Sequence, residues 1–90
     1  MKLSEVIFTD NIPTLDLHGF DRDYATLKIN EFITDNIIMK NEIVSIIHGI
    51  GSDVIRKTTH KTLSKNKKVV DFQTFYRNNG MTIVKLNIDK

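Results

Sequence analysis

Ile43-Val44-Ser45-Ile46-Ile47-His48-Gly49-Ile50-Gly51 is the stretch on which the fold turns. Its first six residues are almost all apolar, and most are β-branched, which suits a central strand covered on at least one face. Gly49 and Gly51 break that strand, and Ser52 stands where a helix cap belongs. Downstream, Ile55, Thr59, Thr62 and Leu63 recur as the inward face of a helix reaching about Asn66, while Lys57, Lys61 and Lys65 follow each other at i, i+4 spacing outside. Upstream, Ala25, Ile29, Phe32, Ile33 and Ile37 form one apolar stripe of a helix capped by Asp21 and ending near Met39. Before it, Pro13 opens a strand over 14–18 and Gly19 closes it; proline is tolerated at the start of an edge strand. Side chains alternate there, so Leu15 and Leu17 face one way, Asp16 and His18 the other.

The remaining segments read as a strand over 69–76, a turn at Arg77-Asn78-Asn79-Gly80 and a strand over 81–88. The Asn-Gly pair supplies the positive φ angles of a hairpin turn. The order is therefore strand–helix–strand–helix–strand–strand, an α/β chain whose first unit is a right-handed crossover between parallel strands. Two helices cover one face, and the other face stays partly open. Residues 13–90 form one domain, and 1–12, with the apolar cluster Val6-Ile7-Phe8, are a lead-in. Met1 and that short lead-in favour a free-standing polypeptide.

Ninety residues bury roughly 60–65% of the unfolded surface, enough for one core between a sheet and one layer of helices. The hydrophobic fraction of 40% and charged fraction of 27% are those of a globular protein. Cysteine is absent, which excludes disulfides and thiolate metal sites. The N-terminus lacks a signal-peptide run and no stretch approaches membrane-spanning length, so the expectation is a soluble, cytoplasmic protein. The net charge of +2 is unevenly spread. Six of the thirteen basic residues lie between Arg56 and Lys68 without a single acid, leaving seven against eleven elsewhere. Such a local positive field suits a polyanion partner.

Ligands of parallel sheets collect at the carboxyl ends of the strands. Here those ends are Asp16-Leu17-His18-Gly19 and His48-Gly49-Ile50-Gly51, which the topology brings close together. Glycines before a helix let backbone amides approach an anion, with Arg56 one turn in. Asp53 in that first turn works against a phosphate. Asp16 and His18 share a face, and a carboxylate beside an imidazole suits proton transfer near neutral pH. His60 sits among lysines and is expected at the surface or against phosphate. Two histidines and one aspartate without a recognised ligand spacing assign no metal site.

Leu15-Asp16-Leu17-His18-Gly19 and His48-Gly49-Ile50-Gly51, with the tail Val54-Ile55-Arg56-Lys57, resemble the two motifs of the small MutS-related (Smr) domain. The resemblance covers about 14–88. It implies an α+β two-layer sandwich, βαβαββ, similar to the C-terminal domain of bacterial translation initiation factor three. The implied sheet is mixed and four-stranded, in order 1-2-4-3, with two helices on one face. Several members of the family are nucleases that nick DNA or cleave RNA, including messenger RNA on stalled or collided ribosomes. Carried over, Asp16 and His18 are the catalytic pair, and His48, Gly49 and Gly51 bind substrate. Four positions depart from the pattern: Ile50 where lysine is common, Ser52-Asp53 where Thr-Gly is common, and Tyr24 where an acid is common.

Joined to the reading of the residues, this gives an endonuclease acting on RNA or DNA. Asp16 and His18 would do the chemistry; His48, Gly49, Gly51, Ser52, Arg56, Lys57 and Lys61 would hold the phosphates. RNA carries its own nucleophile, so no cofactor is required; DNA would need an activated water and a divalent cation. The rival reading is a non-catalytic module that binds nucleic acid or the ribosome.

Overall fold

A computed structural model describes residues 11–51 and 53–88, and within them the elements are β1 (Thr14–Asp16), α1 (Arg22–Ile38), β2 (Ile43–Ile47), α2 (Asp53–Lys65), β3 (Val69–Phe75) and β4 (Asn78–Leu86). Most of the expected lead-in, and Ser52, lie outside the described residues. The four strands form one sheet in the order β1-β2-β4-β3. β1 pairs with β2 in parallel, Asp16 opposite Ile47, whereas β4 runs antiparallel to both β2 and β3. The architecture is the mixed α+β sandwich expected.

α1 starts where Asp21, in extended conformation, accepts a hydrogen bond from the Tyr24 amide at 2.8 Å. That is the N-cap role read from sequence. α1 ends in a Schellman arrangement. The Lys40 amide donates to the Ile37 carbonyl, the Asn41 amide donates to the Asn36 carbonyl, and Lys40 adopts φ 61. Buried Asn36 holds this end together, donating to the Phe32 carbonyl and accepting from the Asn41 side chain, both at 2.8 Å.

Ala25, Ile29 and Ile33 from α1 and Ile55 and Leu63 from α2 pack on Val44, Ile46, Val84 and Leu86 of the sheet. Both helices therefore lie on one face. The other face is less open than expected. Ser45 and Ile83 are fully buried there, and Phe75, Met81 and Ile83 pack with Ile12, Ile43 and Ile47. Ser45 escapes an unsatisfied hydroxyl by bonding Thr14 Oγ1 at 2.6 Å; Thr14 donates to the Ile12 carbonyl, so Ser45 is the donor of the pair.

The hairpin also differs from expectation. β3 and β4 close on two residues, Tyr76 and Arg77, with Phe75 opposite Asn78 after a register shift at Thr74 and Phe75. Asn78, Asn79 and Gly80 are strand residues, and neither Asn79 nor Gly80 has positive φ. The sequence signal puts the turn at the Asn-Gly pair, but its glycine serves a close backbone approach instead, as the site shows.

Candidate functional site

The Leu17 amide donates to the Ile47 carbonyl at 2.9 Å, carrying the parallel pairing one residue past β1. That bond sets His18 and Gly19 beside His48 and Gly49. His18, Gly19, Phe20, His48, Gly49 and Gly51 line one hollow of about 350 Å³, floored by Leu17 and Ile55. The two strand exits thus meet, although thirty positions separate the histidines.

Asp16 and His18 are both exposed. Asp16 Oδ1 accepts from the His18 backbone amide at 2.9 Å. The carboxylate therefore holds the turn that presents the imidazole, through the main chain. Gly19 and Gly49 both have positive φ, 80 and 83. The loop rests on β4. Gly80 is buried, and its carbonyl accepts from the amides of His48 at 2.9 Å and Gly49 at 3.0 Å. A Cβ built on Gly80 would stand 3.1 Å from the Gly49 carbonyl carbon. Two backbones pass close here, and any side chain on residue 80 would press on the loop.

His48 is a buried residue, 5% exposed, and both of its ring nitrogens are engaged. Nδ1 lies 3.1 Å from the Gly49 carbonyl and Nε2 lies 2.9 Å from Thr82 Oγ1. His60 Nε2 also lies 2.9 Å from Thr82 Oγ1. The carbonyl can only accept, so His48 carries its proton on Nδ1 and its Nε2 accepts from the Thr82 hydroxyl. That hydroxyl in turn accepts from His60 Nε2–H. One directed chain thus runs from α2 through β4 to the glycine loop. The two rings meet edge-on at 5.9 Å, and His60 packs on Phe72 at 5.2 Å. Burial pushes both imidazoles below their ordinary value of 6.5. The Gly49 carbonyl opposes this for His48, Arg56 deepens it for both, and the charge of His48 deepens it for His60.

Arg56 donates to Asp53 Oδ1 at 3.1 Å, an ion pair one turn into α2. The aspartate that departs from the family pattern thus takes up part of the guanidinium. Ile50, 79% exposed, and Val54, 60% exposed, give the loop an apolar lip. Phe20 packs edge-on against the exposed Tyr24 at 4.7 Å, placing an aromatic pair on the rim. Lys57 is exposed on α2, and Lys61 lines a different depression, between the helices. Among the described residues no cluster of three or more His, Cys, Asp or Glu could hold a metal ion, and no helix is long and apolar enough to cross a membrane.

Sequence reasoning missed three residues here: Gly80, Thr82 and the inward role of His60. Gly80 was absorbed into the turn, and a threonine in an apolar strand looks like any β-branched residue. His60 stands four residues beyond Arg56, but its lysine neighbours Lys57 and Lys61 make it look like a surface residue.

The Smr domain family model matches residues 15–87. The chain is similar to an Endonuclease MutS2 from Aquifex aeolicus, 36% identical over 76 residues, 81% of this chain and 10% of the relative. An Endonuclease MutS2 from Streptococcus gordonii is 40% identical over 73 residues, 78% of this chain and 9% of that protein. The chain spans about a tenth of the length of the curated relatives it matches. In fold it is similar to the Smr domain of Thermus thermophilus MutS2, with TM-score 0.81 and 22% identity over 83% of this chain and 98% of that one. It is also similar to YdaL, a stand-alone small MutS-related protein from Escherichia coli, with TM-score 0.76 and 22% identity over 81% and 63% of the two chains.

Proposed function

The chain belongs to the Smr domain family, and from that premise we propose that it binds nucleic acid and cleaves its phosphodiester bonds, with RNA the preferred substrate. The observation that carries the reading is the single hollow in which the exposed His18 faces the loop of Gly49 and Gly51.

In RNA the His18 imidazole takes the proton of a 2′-hydroxyl. The 2′-oxygen bonds to phosphorus, and the bond from phosphorus to the 5′-oxygen breaks. That oxygen leaves with a proton from water, giving a 2′,3′-cyclic phosphate and a 5′-hydroxyl. Loop amides at the start of α2, Ser52 and Arg56 bind the phosphate whose charge grows in the transition state. His48, with both nitrogens engaged, serves by shaping the loop rather than by moving a proton. Lys57 adds a long-range attraction, and the Phe20–Tyr24 pair offers a face on which a base can stack.

The test is cleavage of an end-labelled single-stranded RNA in EDTA by the parent protein and by His18→Ala. The expected result is a cyclic-phosphate product from the parent and a loss of about 100-fold or more in the variant. Equal cleavage by both would remove His18 from the chemistry. Tight binding that weakens steeply with salt, without any cleavage, would favour the non-catalytic binding module, a reading supported by Ile50 in place of a cation and by the Asp53 carboxylate on Arg56.

A further inference from the structure

We propose that the groove between α1 and α2 is a second nucleic-acid contact, a track for the phosphates of the single strand flanking the bond held in the hollow. The inference rests on the reading above and extends the same site. β1 and β2 are parallel, so both helices run back from the same rim and lie side by side. The groove encloses about 590 Å³. Its near end opens at Arg22, two residues after Phe20 of the hollow, and its far end is closed by Asn66 donating to Asn30 Oδ1 at 3.0 Å. Arg22 to Asn30 is eight residues, about 12 Å of helix at 1.5 Å per residue. That length takes about three nucleotides at a stacked rise of 3.4 Å.

The lining decides what the groove can hold. Helices normally meet along apolar ridges, yet no apolar side chain lines this groove. Arg22, Lys61 and Lys65 supply three positive charges, and threonine and asparagine supply the rest apart from one carboxylate, Asp23. Asp23 stands 3.7 Å from Arg22 with both side chains highly exposed, a pair too solvated to cancel the field. The groove offers an apolar peptide or lipid chain no apolar side chain to pack on. A hydrated polyanion would find cations at helical spacing and neutral donors between them. The acid-free run from Arg56 to Lys68 continues the same field along α2.

The experiment uses oligodeoxythymidylates of three and twelve nucleotides, which lack the 2′-hydroxyl and are not consumed. Amide shifts are followed by NMR, and affinity for the longer strand is measured against salt for the parent and for R22Q/K65Q. The short strand is expected to shift Gly19 and Gly49 only; the long one also shifts Asn30, Thr62 and Asn66. Removing two cations should flatten the salt slope by about 1.4, so that between 50 and 200 mM the parent loses about sevenfold more affinity than the variant. Shifts confined to Gly19 and Gly49 with both strands, and equal slopes, would overturn the track while leaving the hollow intact. Groove shifts without loop shifts would keep the track and remove the hollow. No shift at either place would overturn both.

Discussion

A methyl group on Gly80 would stand 3.1 Å from the Gly49 carbonyl carbon and 3.2 Å from its Cα, and Gly49 is held down by its own bond to the Gly80 carbonyl. Either backbone would have to give by a few tenths of an ångström, against the bond that holds them together. Gly80→Ala is therefore expected to cost about 1–3 kcal/mol in urea unfolding, the usual price of overpacking. At Gly51 an added Cβ meets nothing within 4 Å, and the backbone is not left-handed. Gly51→Ala should stay within about 0.5 kcal/mol of the parent in stability, while RNA affinity falls because Gly51 lines the hollow. A large stability loss at Gly51 would assign that glycine to the loop's shape rather than to its ligand. Asp53 presents the opposite case, a side chain whose removal should help. The Asp53–Arg56 pair is largely exposed and worth a few tenths to about 1 kcal/mol. Asp53→Asn frees the guanidinium and should tighten RNA binding by about twofold to fivefold, measured at constant salt. Unchanged affinity would show that Arg56 does not reach the phosphate.

Among the elements, α1 carries a strained stop. Lys40 occupies the left-handed position of the Schellman turn at φ 61, where glycine is the usual resident. Lys40→Gly should stabilise the domain by about 1 kcal/mol, a rise in Tm of about 4–8 °C for a chain of this size. No rise would mean that the lysine side chain recovers the cost elsewhere. The elements themselves were legible in the sequence because each signal was local: the alternation at 14–18, the stripe from Ala25 to Ile37, the cap at Asp21. The hairpin was not. Asn79-Gly80 carries a strong local turn signal, but the register of β4 on β2 and β3 is decided by non-local pairing, and it moved the turn to Tyr76 and Arg77. The site divides in the same way. Strand order brings His18 and His48 together, which parallel topology alone foretells. That His48 faces inward to Thr82, and that His60 joins it, depends on side-chain packing between β4 and α2 that no local pattern encodes.

For the molecule as a whole, the imidazoles of buried His48 and half-buried His60 make stability depend on acid. Both are held below their ordinary 6.5, chiefly by burial, so the unfolded chain binds protons more readily than the folded one. Their contribution is fully present above about pH 6.5 and is lost as pH falls through the folded values. Urea midpoints should be flat from pH 8 to 7 and decline below 6.5, with a shallower decline in His60→Gln. A midpoint that climbs on mild acidification would contradict the neutral, directed chain through Thr82.

The Gly80 carbonyl, which receives two amides from the exit of β2, makes the central strand and the glycine loop share an oxygen atom. A slip of β4 by one residue would exchange its two faces and withdraw that oxygen from beneath the loop. Misaligned sheet and intact pocket are therefore mutually exclusive. An oligonucleotide held by that loop would therefore favour the aligned sheet over a slipped one.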